Sequence, residues 1–245
     1  MKLKRQKKFK RNKKLEYLLQ ELNGLLGPVE TEVAQAYKEP QHPVVLLVGC
    51  ARSGTTLIMQ WLARIGEFAY PTNFLSRFYA APYIGARIQQ MLSDPEYSFR
   101  DELSDFGNEI SFESELGKTT GVLAPNEFYY FWRRFFQYGE IQYLDAQSLE
   151  AVDSKTFVAE LAALESVFDK PLAMKGLLVN WNISFINSLL PRVLFVHVKR
   201  DTVYNAQSLL EARENFFGDQ KLWYSFKPPE YPQLAQLDPY QQVVG

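Results

Sequence analysis

Residues 49–56 read Gly-Cys-Ala-Arg-Ser-Gly-Thr-Thr, and their spacing suits phosphate chemistry. Gly49 and Gly54 permit backbone geometry that other residues resist. A turn built on them can aim successive N–H groups inward and lead into a helix whose start adds a positive dipole end. Arg52 supplies a charged fork, Ser53 and Gly54 complete the turn, and Thr55 and Thr56 add hydroxyl donors. The spacing matches the phosphate loop G-x-x-x-x-G-K-[ST] with one departure, Thr55 at the Lys position. A nucleoside triphosphatase uses that Lys to reach the terminal phosphates and the next hydroxyl to hold magnesium. Its loss counts against ATP or GTP hydrolysis and favours a ligand with a single 5′-phosphate in the cradle.

A second pair lies far along the chain. Arg200 follows an apolar run, and Ser208 comes eight residues later, about two turns into a helix that Asp201 or Thr202 can cap. An Arg at the carboxyl end of a strand and a Ser on the next helix can converge on one phosphate. That edge of a parallel sheet is where α/β proteins bind ligands.

The elements that must position these groups follow from the hydrophobic pattern. Val44 to Val48 is a continuous apolar run, the pattern of a strand buried on both faces. Residues 192–198 give a second such strand, and 171–175 a shorter one. Helical patterns follow Thr56 and recur at 74–94, 126–137, 156–169, 183–190 and 203–217. Strands alternating with helices predict an α/β fold, a three-layer P-loop-like domain over residues 41–245 with a central parallel sheet flanked by helices. Residues 1–40 form a basic arm and an amphipathic helix, with leucines at 15, 18, 19, 22, 25 and 26 and a stop near Gly27-Pro28.

The chain has 245 residues, 47% of them hydrophobic, which excludes a disordered or collagen-like composition. Net charge is −1, but residues 1–14 hold nine Lys or Arg and no acid. The rest keeps 18 of the 27 basic residues against 28 acidic ones, a net of −10. A nucleic-acid-binding face is therefore not expected, because its basic footprint belongs in the folded body. One Cys excludes an intrachain disulfide and a Cys-rich zinc site and fits a reducing compartment. No stretch approaches the ~18 apolar residues of a membrane span, and no secretory h-region follows the basic start. The expected location is cytoplasmic. The arm is expected to be solvated beside a docked helix. Contact of residues 1–26 with an anionic membrane face, or with a polyanionic acceptor, is the alternative.

Taken together, Arg52-Ser-Gly-Thr-Thr56 and the Arg200/Ser208 pair resemble the sulfotransferase superfamily. The resemblance spans residues 43–66 and 171–217. It implies that the first motif binds the 5′-phosphate of 3′-phosphoadenosine 5′-phosphosulfate (PAPS), and that Arg200 and Ser208 bind its 3′-phosphate. It further implies in-line sulfuryl transfer, without a metal, to a hydroxyl or amine of a small-molecule or carbohydrate acceptor. Lys175 matches a Lys that the family often has at a strand end, where it serves the bridging region of the donor. The resemblance is to a bacterial, carbohydrate-type member. Such domains usually continue past the second motif with a closing loop, which is not identifiable after Phe217.

The general base does not carry over. The strand with Lys175 reads Lys-Gly-Leu, without the His of the cytosolic enzymes, and Tyr70-Pro-Thr-Asn73 lacks the Glu of the tyrosylprotein enzymes. Glu127, in the aromatic stretch Asn126–Trp132, is the leading candidate, ahead of Glu67. Lys118, Asn73, Arg77 and Tyr79 are candidates for the acceptor cleft. His197 reads as a core residue of a buried strand and His42 as structural. The aromatic run 128–136 reads as core before binding surface. Two other functions compete: a P-loop kinase or nucleotidase, which requires ATP and magnesium, and a non-catalytic binding relative that keeps the donor pocket without a base.

Overall fold

The computed structural model describes residues 5–100, 103, 106 and 110–245. In chain order the elements are α1 (Lys13–Ala34), β1 (Val44–Val48), α2 (Thr55–Ile65) and α3 (Pro82–Ser93). A short hairpin follows, β2 (Ser114–Glu115) and β3 (Lys118–Thr119), then α4 (Tyr129–Phe135), α5 (Ala146–Glu150) and α6 (Ser154–Phe168). The remainder is β4 (Ala173–Lys175), α7 (Ile183–Leu189), β5 (Val193–His197), α8 (Thr202–Phe217), α9 (Tyr231–Leu234) and α10 (Pro239–Val244).

The sheet has the order β4-β1-β5, with both pairings parallel. Strand β1 is buried throughout, and the alternation of its side chains feeds two cores. Val44 and Leu46 join Phe131, Trp132, Phe157, Leu161 and Ile186 on one face. Val45 and Leu47 meet Met59 and Leu62 of α2 on the other. Helices on both faces make the three-layer α/β architecture expected of the central apolar run.

Strand β5 corrects its expectation. It was expected to be buried on both faces, yet it lies at the edge of the sheet with Leu194 56% exposed and His197 exposed. An apolar run specifies burial only where other elements cover it: β1 is central, and β4, at the opposite edge, is buried throughout beside the Ala69–Leu172 bridge. His197 is thus not a core histidine.

Helix α1 departs from the expected stop and continues through Pro28 to Ala34. Proline restricts the preceding residue through a clash with its Cβ. That residue is Gly27, which has none and lies close to the Ala80 carbonyl. Tertiary contacts then hold the second half of the helix. Buried Asn23 donates to the Arg77 carbonyl at 2.7 Å and accepts from Ala80 N–H at 2.7 Å. Buried Glu30 accepts from the N–H groups of Tyr83 and Ile84, capping α3.

Burial pushes the Glu30 carboxyl up to about 7, against the pull of those two N–H donors. Between about pH 4.5 and 7 the folded chain therefore holds a proton that the unfolded chain releases, and stability falls as pH rises through that window. The full effect is on the order of 3 kcal/mol. Urea titrations at pH 5 and pH 7.5 should show this slope in the wild type and its loss in Glu30→Gln.

The basic arm is not free of the body. Gln6 N–H donates to the Phe216 carbonyl at 2.9 Å, Phe9 stacks on the Phe216 ring, and Lys8 pairs with Glu115. Among the described residues, no helix is long and apolar enough to cross a membrane.

Candidate active site

The loop between β1 and α2 occupies the carboxyl edge of the sheet. Gly49 has φ of 143°, and a Cβ there would lie 2.4 Å from the Val198 carbonyl oxygen, so the position requires glycine. Arg52 adopts φ of 67°, a left-handed conformation that costs about 1 kcal/mol or more in a non-glycine residue. Gly54, with φ of 104°, is the N-cap of α2. The first-turn N–H groups of α2 have no partners within their own helix and point into the loop. Ser53 Oγ is buried and has no hydrogen-bond partner among the described residues.

Other segments hold this loop in place. The Asn180 side chain accepts from Gly49 N–H at 3.2 Å and donates to the Gly49 carbonyl at 2.8 Å. Asn205 of α8 donates to the Ala51 carbonyl at 3.0 Å, and Arg200 to that of Arg52 at 3.4 Å. Arg52 Nε donates to Ser208 Oγ at 3.1 Å. The two motifs, 156 residues apart, thus meet directly.

Lys175 arrives by strand register. It pairs with Leu47 across the β1/β4 ladder, which brings it to the same sheet edge as the loop. Its buried ammonium donates to Thr56 Oγ1 at 2.7 Å and to Glu127 Oε1 at 3.3 Å. Lys118 Nζ lies 3.8 Å from Glu127 Oε2. Burial pushes the Glu127 carboxyl up, but the charges of Lys175 and Lys118 outweigh it, and the net shift is downward. Lys175 is shifted down by burial, against the upward pull of Glu127. At neutral pH Glu127 is therefore ionised, with Oε1 on Lys175 and Oε2 facing Lys118.

Glu127 is held between constrained neighbours. Phe128 has φ of 53°, accepts this strain at the start of α4, and stacks on Phe131 at 4.6 Å. On the other side, the β2/β3 turn brings Gly117 so close that a Cβ there would lie 3.3 Å from Thr56 Oγ1 and 3.8 Å from Glu127 Oε1. Buried Gln60 of α2 donates to the carbonyls of Ser111 and Glu113, fixing the approach to that hairpin.

From Lys175 and Glu127 a cleft of about 780 Å³ opens away from the loop. Tyr129 and Tyr130 line it, as do Arg77 and Lys118. Arg5 and Arg11 reach it from the arm, and residues 223–227 from the segment after α8. The aromatic run 128–136 thus splits by helix face. Phe128, Phe131, Trp132, Phe135 and Phe136 are buried, while Tyr129 and Tyr130 are exposed in the cleft.

Among the candidate residues, Arg52, Ser53, Gly54, Thr55, Thr56, Arg200 and Ser208 gather at the loop, with Lys175 and Glu127 beside them. Arg77 and Lys118 line the cleft. Asn73 instead donates to Thr119 and Gly121, tying down the hairpin, and Tyr79 packs on Tyr130. Glu67 lies past the far end of α2, a helix length from the loop. His42 gives its backbone N–H to Glu165, which fixes the chain ahead of β1. Sequence reasoning missed Asn180, Asn205, the arm residues and Trp223–Lys227.

A parallel α/β sheet with a glycine-rich phosphate-type loop at its carboxyl edge, met there by a second Arg/Ser motif, defines a broad class of group-transfer proteins. Within it, this chain belongs to the Sulfotransferase family, whose sequence profile matches residues 43–242. The match begins one residue before β1 and includes the hairpin, the aromatic helix and the segment after α8. No curated protein and no solved structure matches the chain. Membership makes it a sulfuryl-transferring protein of α/β fold.

Proposed function

We propose that the protein transfers the sulfuryl group of PAPS to a hydroxyl of a carbohydrate acceptor. One observation carries this reading: the Arg52–Ser208 contact joins the two motifs next to the Lys175, Thr56 and Glu127 cluster. The residues present fit a bisphosphorylated donor. Among the described residues, Ser53 Oγ is buried without a partner and Arg52 has no ion pair, and the start of α2 leaves its first N–H groups to an anion.

The donor supplies an activated sulfuryl group whose leaving group is a 5′-phosphate. Arg52, Ser53, Gly54, Thr55 and Thr56 hold that phosphate, and Arg200 with Ser208 holds the 3′-phosphate. Lys175 stabilises the negative charge that grows on the bridging oxygen. Glu127 accepts the acceptor's hydroxyl proton as the oxygen attacks. The acceptor oxygen–sulfur bond forms while the sulfur–bridging-oxygen bond breaks, and that electron pair leaves with the 5′-phosphate. The cleft beyond Glu127, with Tyr129 and Tyr130 exposed, is suited to stacking against a sugar ring.

Calorimetric titration tests the donor assignment. 3′-Phosphoadenosine 5′-phosphate is expected to bind without magnesium and more tightly than ATP. Arg200→Ala should weaken it about 10- to 100-fold, the loss of a charge-assisted contact, while changing adenosine 5′-phosphate only a few-fold. Preference for ATP with magnesium, or equal weakening of both adenosine ligands, refutes the reading.

A further inference from the structure

The acceptor cleft carries a local excess of positive charge. Four Lys or Arg of the body and two Arg of the arm line it against two Glu, although the chain outside its arm has a net charge of −10. Both glutamates already have partners, Glu127 with Lys175 and Lys118, and Glu16 with Arg11 at 3.5 Å. Lys227 is paired with Glu140. Arg5 and Arg77 differ, since neither has an ion pair among the described residues.

Each of these two arginines is held where the chain is tied to the body. Arg5 lies over the Phe216 ring at 5.2 Å, and the next residue, Gln6, is hydrogen-bonded to the Phe216 backbone. Arg77 sits in a short helical turn, Leu75–Phe78, whose backbone is gripped by Asn23, a residue only 3% exposed inside α1. A buried Asn spent on that grip fixes where the Arg77 chain leaves the backbone. Two guanidinium groups without ion-paired carboxylates, one half-buried and one exposed, lining the same cleft as exposed Tyr129 and Tyr130, match a ligand with a ring and a negative charge.

We infer that the acceptor is an acidic saccharide, and that Arg5 and Arg77 are specificity-determining residues that bind its carboxylate or equivalent anion. This rests on the sulfotransferase reading of the same site and extends it to the acceptor's charge. It also assigns the arm a place in the protein's own cleft. Electrostatic complementarity of this kind acts mainly by selecting among ligands. A neutral saccharide leaves the guanidinium groups with only their water.

A matched pair of probes tests it, 4-nitrophenyl β-D-glucuronide and 4-nitrophenyl β-D-glucoside, titrated into the full chain by calorimetry with and without 3′-phosphoadenosine 5′-phosphate. The glucuronide is expected to bind about 10-fold or more tightly than the glucoside. The double variant Arg5→Gln/Arg77→Gln should abolish the difference while leaving bisphosphate affinity unchanged. Equal binding of the two probes, binding of neither, or discrimination that survives the double substitution overturns the inference. Failure of the bisphosphate to bind refutes the donor reading instead, and the titrations without it report on the saccharide site independently.

Discussion

Replacing Lys175 by Met is expected to lower kcat by about 100- to 1,000-fold, the scale on which one preorganised charge acts on a transition state. The argument begins with register. Lys175 faces Leu47 across the sheet, so its side chain emerges at the carboxyl edge, and its ammonium is already fixed to Thr56 before any ligand arrives. The side chain is only 3% exposed, so its charge acts with little screening by water. Met keeps the length and the apolar stem and removes the charge alone. Because the leaving group becomes more negative as the sulfur–oxygen bond breaks, the loss falls on kcat more than on donor binding. 3′-Phosphoadenosine 5′-phosphate should therefore bind Lys175→Met within a few-fold of wild type. A kcat within threefold of wild type removes Lys175 from the mechanism.

The phosphate loop was legible because its signal is local. Five apolar residues, two glycines and two threonines in a fixed spacing are enough to predict a strand, a turn and a helix N-terminus, and β1 and α2 appear there. The same local logic misled at β5. Its run is nearly as apolar as that of β1, but burial depends on what covers a strand, and sequence does not state that: edge strand β4 is buried, while β5 is not. Pro28 misled in the other direction, since a strong local stop signal was overridden by Gly27 on one side and by the anchors Asn23 and Glu30 on either side.

The groups that hold the site together were invisible for a different reason. Asn180 lies in a segment without a motif, and Asn205 lies inside the second motif but outside its Arg/Ser signature; their partners, Gly49 and Ala51, lie 131 and 154 positions away. Nothing in composition or periodicity marks such a pairing. The arm shows the limit most plainly. Nine positive charges in fourteen residues read as a solvated run, yet Phe9 and Gln6 dock it on Phe216 and bring Arg5 and Arg11 to the cleft. Glu127 stood out in the sequence only as an acid among aromatics; its distance to Lys175 and the constrained backbone beside it make it specific.

Glu127→Gln is expected to lower kcat by about 100-fold or more, the contribution of a positioned general base. Its pH dependence separates a base from a merely structural carboxylate. Lys175 and Lys118 hold Glu127 below its ordinary value of 4.5, so the wild-type rate should show no loss of base between pH 8 and pH 5. On the alkaline side the rate should fall below the ordinary lysine value of 10.5, because burial lowers Lys175. Glu127 currently raises Lys175, so deleting its charge must lower Lys175 further. The alkaline limb of the residual activity in Glu127→Gln is therefore displaced to lower pH, in addition to the drop in kcat. The reciprocal effect holds in Lys175→Met, where Glu127 loses its main positive neighbour and its carboxyl rises, moving the acid limb upward. A structural role predicts lower stability with an unmoved profile, whereas a base coupled to Lys175 predicts these two opposite displacements. Kinetics from pH 5 to pH 10 on both variants, with melting temperatures as a control, distinguishes the cases, and an unmoved alkaline limb in Glu127→Gln would rule out the coupling on which the assignment rests.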